Sequence, residues 1–157
     1  MDDVTLARAL HVLAVVHWIG GLAFVTLVVL PLARSRRSAE DALALFGAVE
    51  RRFAAQVRIS VVLVGVTGFW MVDRLALWDR FLDRSFWWMW SMVGLWLFFM
   101  LMLFVIEPLL HRRFQGGVRG DGRAAVRSML YLHAVLLGLA AITVFGAVAG
   151  AHGLSFI

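Results

Sequence analysis

The sequence predicts an all-α integral membrane protein, a four-helix bundle with both termini outside. Three observations carry that prediction. The chain is 62% hydrophobic and only 16% charged, against about 45–50% and about 25% in soluble domains. Its apolar residues gather in four long runs, 6–32, 54–77, 86–110 and 128–151. The arginines gather between runs one and two and between runs three and four.

Each run exceeds the roughly 20 residues that cross about 30 Å of hydrocarbon at about 1.5 Å per residue. The chain of 157 residues suits one domain. The first run is too long, and its Met1-Asp2-Asp3 start too acidic, for a cleaved signal peptide. Between the first and second spans stand Arg34, Arg36, Arg37, Arg51 and Arg52, and after the third stand Arg112, Arg113, Arg119, Arg123 and Arg127. The loop after the second span balances Arg74, Arg80 and Arg84 with Asp73, Asp79 and Asp83. The excess of positive charge marks the cytoplasmic loops, so the termini and the middle loop face outward, in a bacterial cytoplasmic membrane. Trp78, Trp87 and Trp88 then read as an aromatic belt at the outer interface.

Ser38-Ala-Glu-Asp41 reads as a helix start, with Ser38 as N-cap and acids in the first turn. The second helix therefore begins before the membrane. Gln115 to Arg123 is glycine-rich and lacks the spacing of a phosphate-binding loop, so it reads as a flexible connection. A weak internal echo runs through the chain. Pro31 and Pro108 precede arginine clusters at the ends of spans one and three, and Thr67-Gly-Phe69 in span two matches Thr143-Val-Phe145 in span four.

Composition also excludes. Without cysteine there are no disulfides, thiolate metal sites or covalently attached haem. The pI near 11.4 invites a nucleic-acid reading, but every one of the 15 basic residues is Arg and most flank apolar runs, where they anchor helix ends. No catalytic triad, paired carboxylate or HExxH pattern is present.

Ionisable groups inside a membrane are expensive and each needs a reason. Measured along the helices from the inner boundary, His17 lies ~22 Å up, His11 ~31 Å and His152 ~36 Å, so three histidines gather near the outer face on two helices. His11 and His17 are six residues apart and point about 120° away from each other, which argues against a shared partner. Trp18, seven residues after His11, shares its face. Two imidazoles at one depth can clamp a haem iron. His11 with His152 fits best, and His17 is the alternate. Nearer the inner side, Arg58, Glu107 and His133 share a level. An Arg58–Glu107 ion pair with His133 hydrogen-bonded to either is the structural reading. A propionate on Arg58, or a second haem on His133 and His111, is the functional one. Gly20-Gly21 and the Gly146/Gly150 pair allow close approach of a backbone or a flat cofactor. The methionines at 89, 92, 100 and 102 read as packing, although thioethers also bind Cu(I).

The run Arg8-Ala-Leu-His11, continuing through Trp18 to Gly21, with Arg58-Ile-Ser and Thr67-Gly-Phe-Trp70 in the second span, resembles the CopD family of copper-resistance membrane proteins. It is similar also to the HemJ-type haem-binding membrane proteins. The resemblance covers the first half of the chain and rests on His11, Trp18, Gly21 and Arg58. It implies a small helical bundle tied to haem or copper, with His11 where the HemJ-type first-helix histidine sits. The third span lacks the His and Lys of the HemJ pattern, so protoporphyrinogen oxidation is not implied.

The expected function is therefore that of a b-type haem protein in electron transfer or membrane redox chemistry, with haem b held non-covalently by His11 and His152. Trp18, Gly21, Arg58, His133 and His17 are the other candidate cofactor-binding residues. Copper handling of CopD type is the alternative, and a cofactor-free accessory subunit, docked through its glycine-rich fourth span, is the third class. The expected partners are membrane lipid, a second copy in a homodimer, and a redox protein or quinone; nucleic acid is not among them. Reporter fusions after Asp79 and after Gly117 should report opposite sides of the membrane.

Overall fold

The computed structural model describes residues 2–35, 38–109 and 122–154, and among them the chain is helical with no strand. Four helices are long and apolar enough to cross a membrane. Helix α1 (residues 2–34) is built of three consecutive pieces: α-helix Asp2–Phe24, a π-helical turn Val25–Val29, and α-helix Leu30–Arg34. Helix α2 spans Ala39–Arg74, α3 spans Arg84–Leu109 and α4 spans Gly122–Ala151. His111 and most of the glycine-rich stretch, 115–121, lie outside the described residues.

Helix α2 starts where the sequence places it. The Ser38 hydroxyl accepts the Asp41 amide at 3.0 Å, and Glu40 and Asp41 stand in the first turn, where the helix dipole favours negative charge. At 36 residues it is about 54 Å long. It thus outreaches the hydrocarbon layer, and its first turns pack Ala42 on Ala33 and Phe46 on Val25 and Leu30. It ends at Arg74 rather than at the expected Leu77. Leu77 N–H reaches back to Val72 O at 2.9 Å and Ala76 N–H to Asp73 O at 3.1 Å, a Schellman cap with Ala76 in the left-handed region at φ 51°. Helix α4 closes in the same way, with Leu154 on Ala149 O, Gly153 on Gly150 O and Gly153 at φ 87°.

Both π-turns, Val25–Val29 and Met102–Ile106, end two residues before a proline. Pro31 and Pro108 have no N–H to give, and each ring crowds the carbonyl four residues back. Widening the preceding turn relieves that crowding and keeps the helix running. The echo between spans one and three thus extends to backbone geometry, in the same register from each proline.

Helix α1 packs most extensively on α2 and also meets α4, while α3 is shared between α2 and α4. The central cluster is Ala14, Trp18, Val57, Val61 and Val64, covered by Trp96, Phe99 and Leu103. Smaller clusters lie at Val25, Leu30 and Phe46 and at Ala33 and Ala42. Only 6% of the most apolar window of α3 is buried, so that helix turns its apolar surface outward, as lipid-facing helices do.

The glycines are occupied by rings. A Cβ added to Gly21 would strike Phe53, at Gly65 it would strike Trp96, and at Gly146 and Gly150 it would strike Trp87 and Trp88. The notches at Gly21, Gly146 and Gly150 therefore seat aromatic side chains, not a flat cofactor. Trp88, only 7% exposed, belongs to this packing and leaves the expected aromatic belt, whereas Trp78 stays exposed.

The end of the bundle that carries both termini is tied by Arg74, whose guanidinium grips Asp3 at 2.8 and 3.0 Å. In the loop beside it, Asp83 accepts the Ser85 amide at 2.9 Å and its hydroxyl at 2.6 Å, which holds the Asp83 carboxyl below the usual carboxylate range.

Ala76→Gly should raise stability by about 1 kcal/mol, because a Cβ in the left-handed region costs roughly that much. A higher melting temperature in detergent is the expected reading.

Candidate functional site

A cavity of about 300 Å³ lies at the termini end of the bundle. Helix α1 supplies Arg8 and His11. Helix α2 supplies the wall from Val64 to Val72, with Met71. Helix α3 supplies Met89, Met92 and Trp96, the tip of α4 closes one side with Ala147 and Ala151, and Arg80 and Phe81 come from the loop. The lining is mostly apolar and contains no acidic residue. The two arginines make it cationic, and the Arg80 guanidinium lies 4.8 Å from the centre of the Phe86 ring.

His11 is the histidine that faces this space. Its Nδ1 stands 3.0 Å from Thr67 Oγ1 and 3.1 Å from Val64 O. The Thr67 hydroxyl spends its one proton on its own helix, 2.6 Å from Leu63 O. Both neighbours of Nδ1 are therefore acceptors, and Nδ1 must carry the hydrogen. In the neutral ring, Nε2 is left as a bare lone pair. A carbonyl that fixes the tautomer and orientation of an imidazole is the usual support behind a metal-ligating histidine.

The other candidate residues are dispersed. His17 also meets α2, with Nδ1 2.8 Å from Ser60 Oγ and Nε2 3.4 Å from Gln56 Oε1. His11 and His17 therefore share no partner residue. The two side chains reach the same helix at different levels, although their Cα–Cβ directions diverge. With both ring nitrogens engaged, His17 keeps no lone pair to offer. His152 is exposed, its Nδ1 bonded to Val148 O at 2.8 Å, and it is not among the residues that line the cavity. Trp18 is only 3% exposed, packed edge-on against Phe99. It and Gly21 stand in the bundle core, away from the cavity that His11 lines.

Arg58 is bound by Glu107 at 3.0 Å and by Leu103 O at 3.3 Å, which is the expected ion pair. His133 does not join it. Its Nδ1 is 2.9 Å from Met129 O of its own helix, and its ring meets Phe46 edge-on. The reason is local: the carbonyl one turn back is within reach without any bend of α4.

A haem would find an imidazole lone pair on His11, thioethers on Met89 and Met92, apolar walls, and cationic groups for its carboxylates on Arg8 and Arg80. That donor set fits the group, although two of its members differ from the sequence expectation. Met89 and Met92, and not His152, line the cavity with His11, and its cationic groups are Arg8 and Arg80, not Arg58. The spacing held these clues. Arg8 sits three residues before His11 and Met71 four after Thr67, which are same-face distances on a helix. Met89, Met92 and Trp96 also follow helical spacing. Nothing in the sequence reports that three helices turn these faces to one point.

No family model, no curated protein and no solved structure matches the chain.

Removing one member of the Arg58–Glu107 pair leaves a charge in the bundle without its counter-ion. Arg58→Gln and Glu107→Gln should each lower stability by about 1 kcal/mol, because the pair is partly exposed. The double variant should recover most of the loss in a thermal melt in detergent.

Proposed function

We propose that the chain is a multi-pass protein of the bacterial cytoplasmic membrane, with both termini outside, that holds a b-type haem in the cavity beneath its outer face and passes electrons. The observation that carries the reading is the state of His11: Nδ1 lies against Thr67 and Val64, and the ring lines a cavity that has two arginines and no acid. The arginine asymmetry of the loops supports the orientation.

A bound haem would supply a one-electron couple at its iron. The chain's own residues do the rest. Thr67 and Val64 stop the imidazole from rotating and keep its lone pair exposed. Arg8 and Arg80 offset the negative charge of the carboxylates. The walls from Phe69 to Trp96 keep bulk water away, which strengthens each of these electrostatic contacts.

A second reading rests on its own observation. His11 shares the cavity with Met71, Met89 and Met92. One imidazole and three thioethers, with no thiolate or carboxylate, form a soft donor set suited to Cu(I). Copper handling is then the function, with the same residues as ligands.

An absorption spectrum of the protein purified from membranes separates the two. The haem reading expects a Soret band and a reduced α-band, both lost or strongly shifted in His11→Ala. A colourless protein that takes up Cu(I), with uptake reduced about tenfold or more when both Met89 and Met92 are changed to Leu, sinks the haem reading and supports copper. A colourless protein that binds neither sinks both.

A further inference from the structure

A second cavity lies deeper in the bundle, toward the end where α1 finishes and α2 begins. It measures about 100 Å³ and all four helices line it. Trp18 comes from α1, Glu50 and Phe53 from α2, Phe99 and Leu103 from α3, and His133 from α4. Trp18 gives the cavity its meaning. Its ring is only 3% exposed, and its Nε1–H is the one buried side-chain polar atom without a hydrogen-bond partner among the described residues. An unmet N–H in an apolar core costs about 1–3 kcal/mol, so a native structure supplies an acceptor. Trp96 shows the ordinary solution, its Nε1–H donated to Val61 O at 2.9 Å.

The acceptors that line the cavity belong to two ionisable residues. His133 donates Nδ1–H to Met129 O, so Nε2 of its neutral ring is an acceptor. Glu50 is exposed and brings a carboxyl group to the rim. Neither makes a direct bond to Trp18, and all three residues line the same cavity. A water in the liquid occupies about 30 Å³, so the space suits roughly three. The lining is mostly apolar but includes Trp18, Glu50 and His133, and a void that offers a water two or more partners holds water, whereas a wholly apolar one stays dry.

The geometry points to a short internal water chain in this cavity, hydrogen-bonded to Trp18 Nε1–H at its deep end and to His133 and Glu50 at the other, by which a proton from the Glu50 side can reach His133 Nε2. The remaining charged groups near this end are Arg51 beside Glu50 and the Arg58–Glu107 pair, which is bonded to itself and to Leu103 O. The site is separate from the outer cavity. It shares no lining residue with it, and the inference stands whether or not haem or copper binds there.

The test is the indole N–H of Trp18, followed by NMR of the detergent-solubilised full chain and assigned through Trp18→Phe. A cross-peak between this N–H and water, with exchange into deuterated buffer about tenfold or more faster than that of Trp96, is the expected result. Ala54→Leu fills the cavity from α2, so in that variant the cross-peak should vanish and exchange should slow to the Trp96 rate. A Trp18 N–H in the unaltered protein that shows no water contact and exchanges as slowly as Trp96 overturns the proposal. So does a water contact that persists unchanged in a folded Ala54→Leu variant.

Discussion

Polar groups between four helices this apolar are answered mostly from inside the bundle, where a surrounding hydrocarbon would offer them no partner. That constraint governs the α1–α2 seam. Along it, from the termini inward, run Asp3 on Arg74, His11 on Thr67 and Val64, and His17 on Ser60 and Gln56. Each is a side chain of α1 answered by α2. Together they fix the rotation and register of two helices whose apolar surfaces alone would slide, since lipid tails solvate leucine as well as another helix does. The α3–α4 pair uses the same device in smaller form. Ser91 meets Thr143 at 2.8 Å while the Thr143 hydroxyl returns its proton to Leu139 O, just as Thr67 returns its own to Leu63 O. In both hairpins a threonine that bonds back to its helix becomes the fixed acceptor for its neighbour.

The chemistry of His11 is a by-product of that seam. A histidine recruited to lock two helices must give up one nitrogen to the lock. Because Thr67 and Val64 can only accept there, the nitrogen given up is the one that carries hydrogen. The other keeps its lone pair, on a ring that lines the cavity. His17 shows the contrast. Its lock uses an amide oxygen and a hydroxyl, one on each nitrogen, and its ring is consumed by structure. Sequence position does not distinguish the two residues, since both lie on an apolar helix one or two turns apart. The distinction lies in what stands opposite on α2.

For this reason the architecture was far more legible in the sequence than the site. Run lengths and hydropathy act residue by residue, so the four spans could be read directly. Ser38 and its acids marked the start of α2, because a cap is a local bond. The Arg58–Glu107 pair was legible from charge and depth, as two opposite charges at one level in a membrane have few other solutions. Pairings that depend on how the helices are rotated were not. His152 shares a level with His11 but turns back to Val148 O, and His133 prefers Met129 O to the ion pair. An imidazole with a backbone carbonyl one turn behind it has a partner within its own helix, and depth along the axis says nothing about that competition. Trp88 departs from the expected belt for a related reason. Trp88 looked interfacial by position, yet Gly146 and Gly150 on the facing helix leave room for the ring pair Trp87 and Trp88, and filling a void in the bundle recovers dispersion that an interface does not offer.

The two cavities divide the bundle by electrostatic character. The one at the termini end is walled by sulfur and aromatic rings and carries Arg8 and Arg80 without an acid, so it favours an anion or a soft cation held by neutral ligands. The deeper one sets a carboxyl group, an imidazole and a lone indole N–H around a space of molecular size, which favours water and mobile protons. Between them lies the central cluster, where Val61 is fully buried and Val57, Val64 and Trp18 nearly so. An electron carrier that reached from one cavity and a proton that reached from the other would stop on opposite sides of that plug. Trp18 is part of the plug and lines the deeper cavity, so its ring seals one compartment while its N–H serves the other.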